Sequence, residues 1–253
     1  MSVYSMYFSP TGGVEKVLDV LLAEIPFDTS IDLSKHDTDY SAYHFEKEDI
    51  CFIGVPVFGG RVAPTAIERV KQTQADGALA IIVAVFGNRA YDDALLELKN
   101  EAIACGFEVG AAIAANAEHS IVRQFGTQRP DTTDKKELSN YANQIKDVIR
   151  HRENLHSFEV PGNYPYKEYK GVPIKPKVTK ACIECGICAE QCPVQAIPID
   201  NPSSLDKEKC ISCMRCIAVC PIQARKLNKM LLAAAEQGMK KSCTSRKVNE
   251  IYI

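Results

Sequence analysis

Hydrophobic and polar positions change over in blocks along the first 155 residues. Apolar runs at VYSMYF (3–8), ICFIGVPV (50–57), ALAIIVAVF (78–86) and FEVGAAIAA (107–115) predict β-strands, with a weaker one at TSIDL (29–33). The long runs are apolar on both faces, as in central parallel strands covered by helices on each side. Between them lie helical patterns at 12–25, 63–72 and 90–106, and a last helix is predicted over 134–150. The first helix carries Val14, Val17, Leu18, Leu21, Leu22 and Ile25 along one stripe. Strand–helix alternation of this kind predicts an α/β domain, an open doubly wound parallel sheet of five strands. Residues 34–48 are polar and predict no helix between the second and third strands.

Downstream the periodicity stops and cysteine takes over. CIECGICAEQCP (182–193) and CISCMRCIAVCP (210–221) share spacings of two, two and three residues and a terminal proline, 28 residues apart. The register continues: Gln195 and Ala196 match Gln223 and Ala224. This is an internal repeat of one short unit. Eight thiolates in two such runs fit two 4Fe–4S clusters. In this spacing the fourth cysteine of each run ligates the cluster of the other. One set is then Cys182, Cys185, Cys188 and Cys220; the other is Cys210, Cys213, Cys216 and Cys192. Zinc ribbons place their pairs differently, without a third cysteine directly after each pair. A disulfide framework needs an oxidising compartment. Cys51 and Cys105 read as structural thiols, and Cys243 has no assigned role.

Two domains fit the length: 1–155 for the sheet and 178–228 for the small α+β cysteine domain, joined by a linker over 156–177 and followed by a helix and tail over 229–253. The tail helix is predicted at 227–240, with the packing of the closing NEIYI left open. The linker holds proline, tyrosine and lysine, which predicts an extended segment lying on a domain surface. Charge is split. Residues 1–155 carry 23 Asp and Glu against 15 Lys and Arg, and residues 156–253 carry 9 against 15. The basic excess offsets the negative charge of ligated clusters, and the opposite signs are expected to favour docking of the two parts. No basic run is interleaved with aromatics, so nucleic-acid binding is not expected. The longest apolar stretch falls far short of the roughly 20 residues of a membrane helix, and no targeting pattern is visible. A cytoplasmic protein without membrane insertion is expected; its oligomeric state is left open.

In open α/β sheets the ligand sits beyond the C-terminal ends of the strands. Three loops leave the long strands there. SPTGG (9–13) opens a helix. Ser9, Thr11, Gly12, Gly13 and Val14 are suited to cupping a phosphate with hydroxyls and free amides. The loop has neither a Walker lysine nor a GxGxxG pattern. PVFGGRVAP (56–64) offers Pro56, Val57, Phe58, Gly59 and Gly60; FGNRAYDD (86–93) offers Phe86, Gly87, Asn88, Tyr91 and Asp92. Phe58 and Tyr91 are placed to flank a flat ring. Taken singly, each loop is also ordinary helix-cap and turn chemistry. Together, in flavodoxin-like strand order, they predict an FMN site. The excursion AEHSIVRQFGTQRPD (117–131) lies near that edge as a lid or docking surface; His119 reads either as a contact to cofactor or substrate or, more commonly for a lone loop histidine, as merely exposed.

YFSPTGG, PVFGGRVAP, VFGNRAYDDALLEL and the two cysteine runs resemble, over nearly the whole chain, the prokaryotic flavodoxin–ferredoxin fusion proteins. The chain departs from that pattern at Val14, where a Thr is usual, and in lacking Trp. The resemblance implies an electron-transfer protein with FMN, two 4Fe–4S clusters and redox partner proteins. Two alternatives stay open: a flavin-dependent oxidoreductase of a small molecule fed by the clusters, and a ferredoxin carrier with a flavin-free interaction domain.

Overall fold

The computed structural model describes residues 1–253. The sheet is built from β1 (Val3–Tyr7), β2 (Thr29–Asp32), β3 (Ile50–Phe58), β4 (Leu79–Phe86) and β5 (Glu108–Asn116), all parallel, in the order 2-1-3-4-5. This is the flavodoxin-like doubly wound order. All eight residues of β4 are buried, which accounts for its unbroken apolar sequence.

Helices cover both faces. α1 (Gly13–Leu21) and α4 (Thr132–Arg150) pack on one, and bury Val14, Val17, Leu18, Leu21, Leu138 and Ile145 against Ile81, Val83 and Ile113. α2 (Pro64–Val70) and α3 (Ala94–Ala104) cover the other, over a core that includes Met6, Phe8, Ile53, Ile82 and Phe86. Close approach on the first face requires glycine at position 54, where a Cβ would sit 2.8 Å from Leu18 and Val14. Between β2 and β3 the polar segment forms one 3₁₀ turn, Tyr40–Ala42. A two-residue strand, His44–Phe45, pairs with Gln74–Ala75 outside the main sheet.

A sixth strand extends this sheet. After the cysteine domain and α5 (Lys229–Cys243), the chain returns and lays β6 (Glu250–Tyr252) antiparallel on β5, pairing Ile251 with Ile113. The closing segment thus protects an otherwise open edge. α5 runs a few residues beyond its predicted end and seats Cys243 between Val122 and Phe125.

The tail is held by polar groups. Asp134, fully buried, accepts from Arg129 Nε at 2.8 Å, Arg246 Nη2 at 2.9 Å and Asn249 Nδ2 at 3.0 Å. Asn88 donates to the carbonyl of Cys243 at 2.6 Å and accepts from the amide of Lys247 at 3.0 Å. The linker lies on the opposite flank: Asp93 accepts from the amides of Asn163 and Lys167, and the Arg61 guanidinium stacks over Tyr166. Arg246→Ala removes two contacts to Asp131 and one to Asp134. It should speed amide exchange in 250–252 and in their partners 112–114, and leave β1 and β3 protected. Hydrogen-exchange mass spectrometry reads this directly.

Candidate functional site

The cysteine domain repeats its backbone as it repeats its sequence. Left-handed residues recur 28 positions apart: Glu184 and Ser212, Gly186 and Met214, Gln195 and Gln223. Each run makes a short helical turn, Ile187–Glu190 and Arg215–Ala218, that carries its third cysteine inward. After the fourth cysteine the proline turns the chain so that an amide returns to the sulfur. Ala196 N–H donates to Cys192 Sγ and Ala224 N–H to Cys220 Sγ, both at 3.2 Å. Burial raises the Cys220 thiol, but the amides of Arg225, Ala224, Ile222 and Gln223 more than offset it and hold its pKa below the ordinary thiol value.

The two cysteine sets sort across the repeats. A small enclosed space is walled by Cys182, Cys185, Cys188 and Cys220, three residues of the first run and the last of the second. Burial pushes the Cys213 thiol up to about 12, and Cys192 and Cys210 are the sulfur neighbours that add to the shift. Burial also raises Cys216 to about 12, with Cys213, Cys210 and Cys188 adding to it and Arg225 opposing. The donor set and grouping therefore fit two iron–sulfur centres with crossed ligands.

The second site lies at the C-terminal edge of the sheet. A cavity of about 340 Å³ is lined by Ser9, Thr11, Gly13, Val14, Pro56, Val57, Phe58, Gly59, Phe86 and Gly87, within the size range of cofactor pockets. Its phosphate-loop end is rich in donors. Gly12, at φ 80°, caps α1 without a side-chain bond, and Ser9 Oγ accepts the Glu15 amide at 3.1 Å. The amides of Gly13 and Val14 find no acceptor within the chain, so the helix start presents free N–H groups to an anion.

Five expected residues stay outside that lining: Gly12, Gly60, Asn88, Tyr91 and Asp92. Tyr91 packs behind Phe86, its hydroxyl bonded to Glu250 and Tyr252, so it flanks β6 and not a ring in the cavity. Asn88 is consumed by the tail. Asp92 pairs with Lys167 at 2.7 Å, and Gly60 is glycine because a Cβ there would meet Asp92 Oδ2 at 2.1 Å.

Other segments complete the wall. They are Pro10, Val85, the charged Arg89, Ala117–Val122, Val172–Ile174 of the linker, Ser212 and Cys213 of the second cysteine run, and Ala235 and Met239 of α5. His119 is turned inward: its Nδ1 accepts from the amides of Ile121 and Val122, and burial depresses its pKa to about 4, leaving it neutral near pH 7. Sequence periodicity carries no sign of this cover, since it comes from loops and from a helix beyond the cysteine domain. Arg69 Nη2 bonds the Pro193 carbonyl at 2.6 Å and Arg215 Nη1 that of Pro10 at 3.3 Å, so the cysteine domain is seated directly on the sheet domain.

The family model described as 4Fe-4S dicluster domain matches residues 181–224. That match gives the chain a redox role. No curated protein matches the chain. Among solved structures, it is similar to a rubredoxin oxygen:oxidoreductase from the anaerobe Desulfovibrio gigas, at 14% identity and TM-score 0.42, over 60% of this chain and 37% of that one. A flavodoxin of Streptococcus pneumonia TIGR4 aligns at 14% identity and TM-score 0.40, over 57% of this chain and 97% of its own. A Fusobacterium nucleatum flavodoxin bound to flavin mononucleotide aligns at 14% and 0.38, over 58% and 98%. No helix is long and apolar enough to cross a membrane.

Cys192→Ala should disturb the centre held by Cys210, Cys213 and Cys216. Anaerobic iron counting with EPR on single-cysteine variants checks it; loss confined to the centre of Cys182, Cys185 and Cys188 would mean local ligation. At the other site Thr11→Ala, which removes a hydroxyl from the cavity wall, should weaken flavin binding about tenfold, on the order of 1.5 kcal/mol for a bond to a charged group. Fluorescence titration of the apoprotein measures it.

Proposed function

We propose that this chain is an electron-transfer protein that holds FMN at the sheet edge and two 4Fe–4S clusters in the cysteine domain, and passes electrons between them and on to partner redox proteins. When bound, flavin exchanges one or two electrons and a 4Fe–4S cluster one. The observation that carries the reading is the position of Cys213. It lines the sheet-edge cavity beside Phe58, Phe86 and Gly87, and it belongs to the same contiguous apolar core as both phenylalanines. The ligand set of Cys210, Cys213, Cys216 and Cys192 is therefore proximal to the flavin, and the set around Cys182, Cys185, Cys188 and Cys220 distal. Cys185 is exposed, which favours the distal set as the exit toward a partner.

In this reading the Gly13 and Val14 amides and the Thr11 hydroxyl bind the phosphate, Phe58 and Phe86 supply apolar contact, and neutral His119 excludes water without adding charge. Val172–Ile174, Ala235 and Met239 also line this space. Cysteines kept as thiolate ligands suit a reducing compartment, so cytoplasmic location is part of the proposal.

The test is anaerobic stopped-flow absorbance on the loaded full chain. Reduction of one centre should be followed by electron transfer to the other at a rate independent of protein concentration. A rate proportional to concentration would overturn the relay. Acid extraction that yields no flavin would favour instead a ferredoxin carrier with a flavin-free domain.

A further inference from the structure

The two cysteine runs share their spacing, their proline and a Gln-Ala pair, and the residue that follows that pair differs in kind. Ile197 stands in the first and Arg225 in the second. Both are 2% exposed. An apolar side chain in one repeat and a charged one in the other, equally buried, is an asymmetry that folding alone does not demand.

Arg225 is held by one nitrogen. Its Nη2 donates to the carbonyls of Pro202 and Ser204, the latter at 2.9 Å, and these bonds fix the guanidinium plane. Nε and Nη1 are buried and donate to nothing in the protein. The side chain lines the small space enclosed by Cys182, Cys185, Cys188 and Cys220. The Pro202 carbonyl that accepts from it also lies 3.9 Å from Cys188 Sγ. Cys188 and Cys216, one from each ligand set, share a single apolar cluster, which places the two centres side by side with Arg225 at their junction. A buried guanidinium has no route to deprotonation, so its charge needs a counter-charge.

We propose that Arg225 is a positioning residue for the iron–sulfur centres: its free N–H groups and fixed positive charge face the distal cluster and raise that centre's reduction potential above the value an apolar residue would leave. Reduction adds one negative charge to the site. A donor and cation aimed at the sulfurs stabilise the reduced form, and hydrogen bonds to the sulfurs are among the determinants of cluster potential. The distal centre then becomes the more favourable resting place for an electron arriving from the flavin side. The inference rests on the reading of the eight cysteines as cluster ligands.

Arg225→Ile installs the residue of the first repeat. EPR-monitored redox titration of the loaded full-length protein should show one midpoint falling by about 59 mV or more, a tenfold change in a one-electron equilibrium, while the other moves less. Arg225→Lys keeps the charge but loses the fork, and should fall between. Iron and sulfide content, measured in parallel, should stay at the parent level. Two midpoints unchanged in both variants, with clusters intact, would overturn the role of Arg225 and leave the ligand assignment standing. A parent protein that assembles no 4Fe–4S centre would overturn both. If the isoleucine variant loses its clusters, the lysine variant decides: a midpoint equal to the parent's in it would refute the hydrogen-bonded orientation.

Discussion

A single buried carboxylate holds the parts of this molecule in register. Asp134 is fully excluded from solvent at the start of α4, where burial alone would raise its pKa; the bonds from Arg129 and Asn249, with the amide of Asp131, more than offset this and lower it. The partners come from two distant places in the chain. Arg129 ends the excursion after β5 and reaches Asn88 in the loop after β4; Arg246 and Asn249 belong to the returning tail. A buried ion that loses one partner is costly, on the order of 3–5 kcal/mol. The network therefore acts less as a source of stability than as a geometric condition. The excursion, the third loop and the tail must all be in place together.

The cover over the sheet-edge cavity follows from that condition. On the way to Asp134 and β5, α5 packs on the excursion, with Cys243 against Val122 and Phe125 and with Ala235 and Met239 lining the cavity. The linker on the other flank, held at Asp93, brings Val172–Ile174 to the same opening. The cysteine domain is thus fastened at both of its ends to one sheet. Its second run is the one delivered to the cavity wall.

How much of this the sequence carried depends on how local the physics is. Cysteine spacing is a local requirement of ligation, so both runs were readable residue by residue as a two-cluster domain. The five parallel strands were equally plain, because strands buried on both faces must be continuously apolar. β6 was not: three residues, Glu250, Ile251 and Tyr252, become a strand only through pairing with a distant edge. The same long-range contact explains Tyr91 and Asn88. Their loop had the composition of a cofactor loop, but their side chains answer to the tail. For His119 the sequence left two readings open, exposed loop residue or contact at the site, because nothing adjacent in sequence decides its burial; it lines the cavity. Its cover comes from the segment it caps and from the parts that fold over it.

The charge split between the two parts led to an expectation of electrostatic docking, and the interface shows a different device. Where the cysteine domain meets the sheet domain directly, arginines donate to backbone carbonyls, Arg69 to Pro193 and Arg215 to Pro10, and Cys213 joins the apolar core. Charge pairs occur instead at the two fastenings, Lys167 with Asp92 and Arg246 with Asp131. Exposed pairs are screened by salt, whereas buried apolar and hydrogen-bonded contacts are not. A junction fastened at both ends keeps Cys213 at the cavity wall over a range of ionic strength. Transient docking of opposite charges would lose that position as salt rises. Under the proposed relay, in which single electrons pass internally, the first arrangement is the more useful one, because it does not depend on ionic strength.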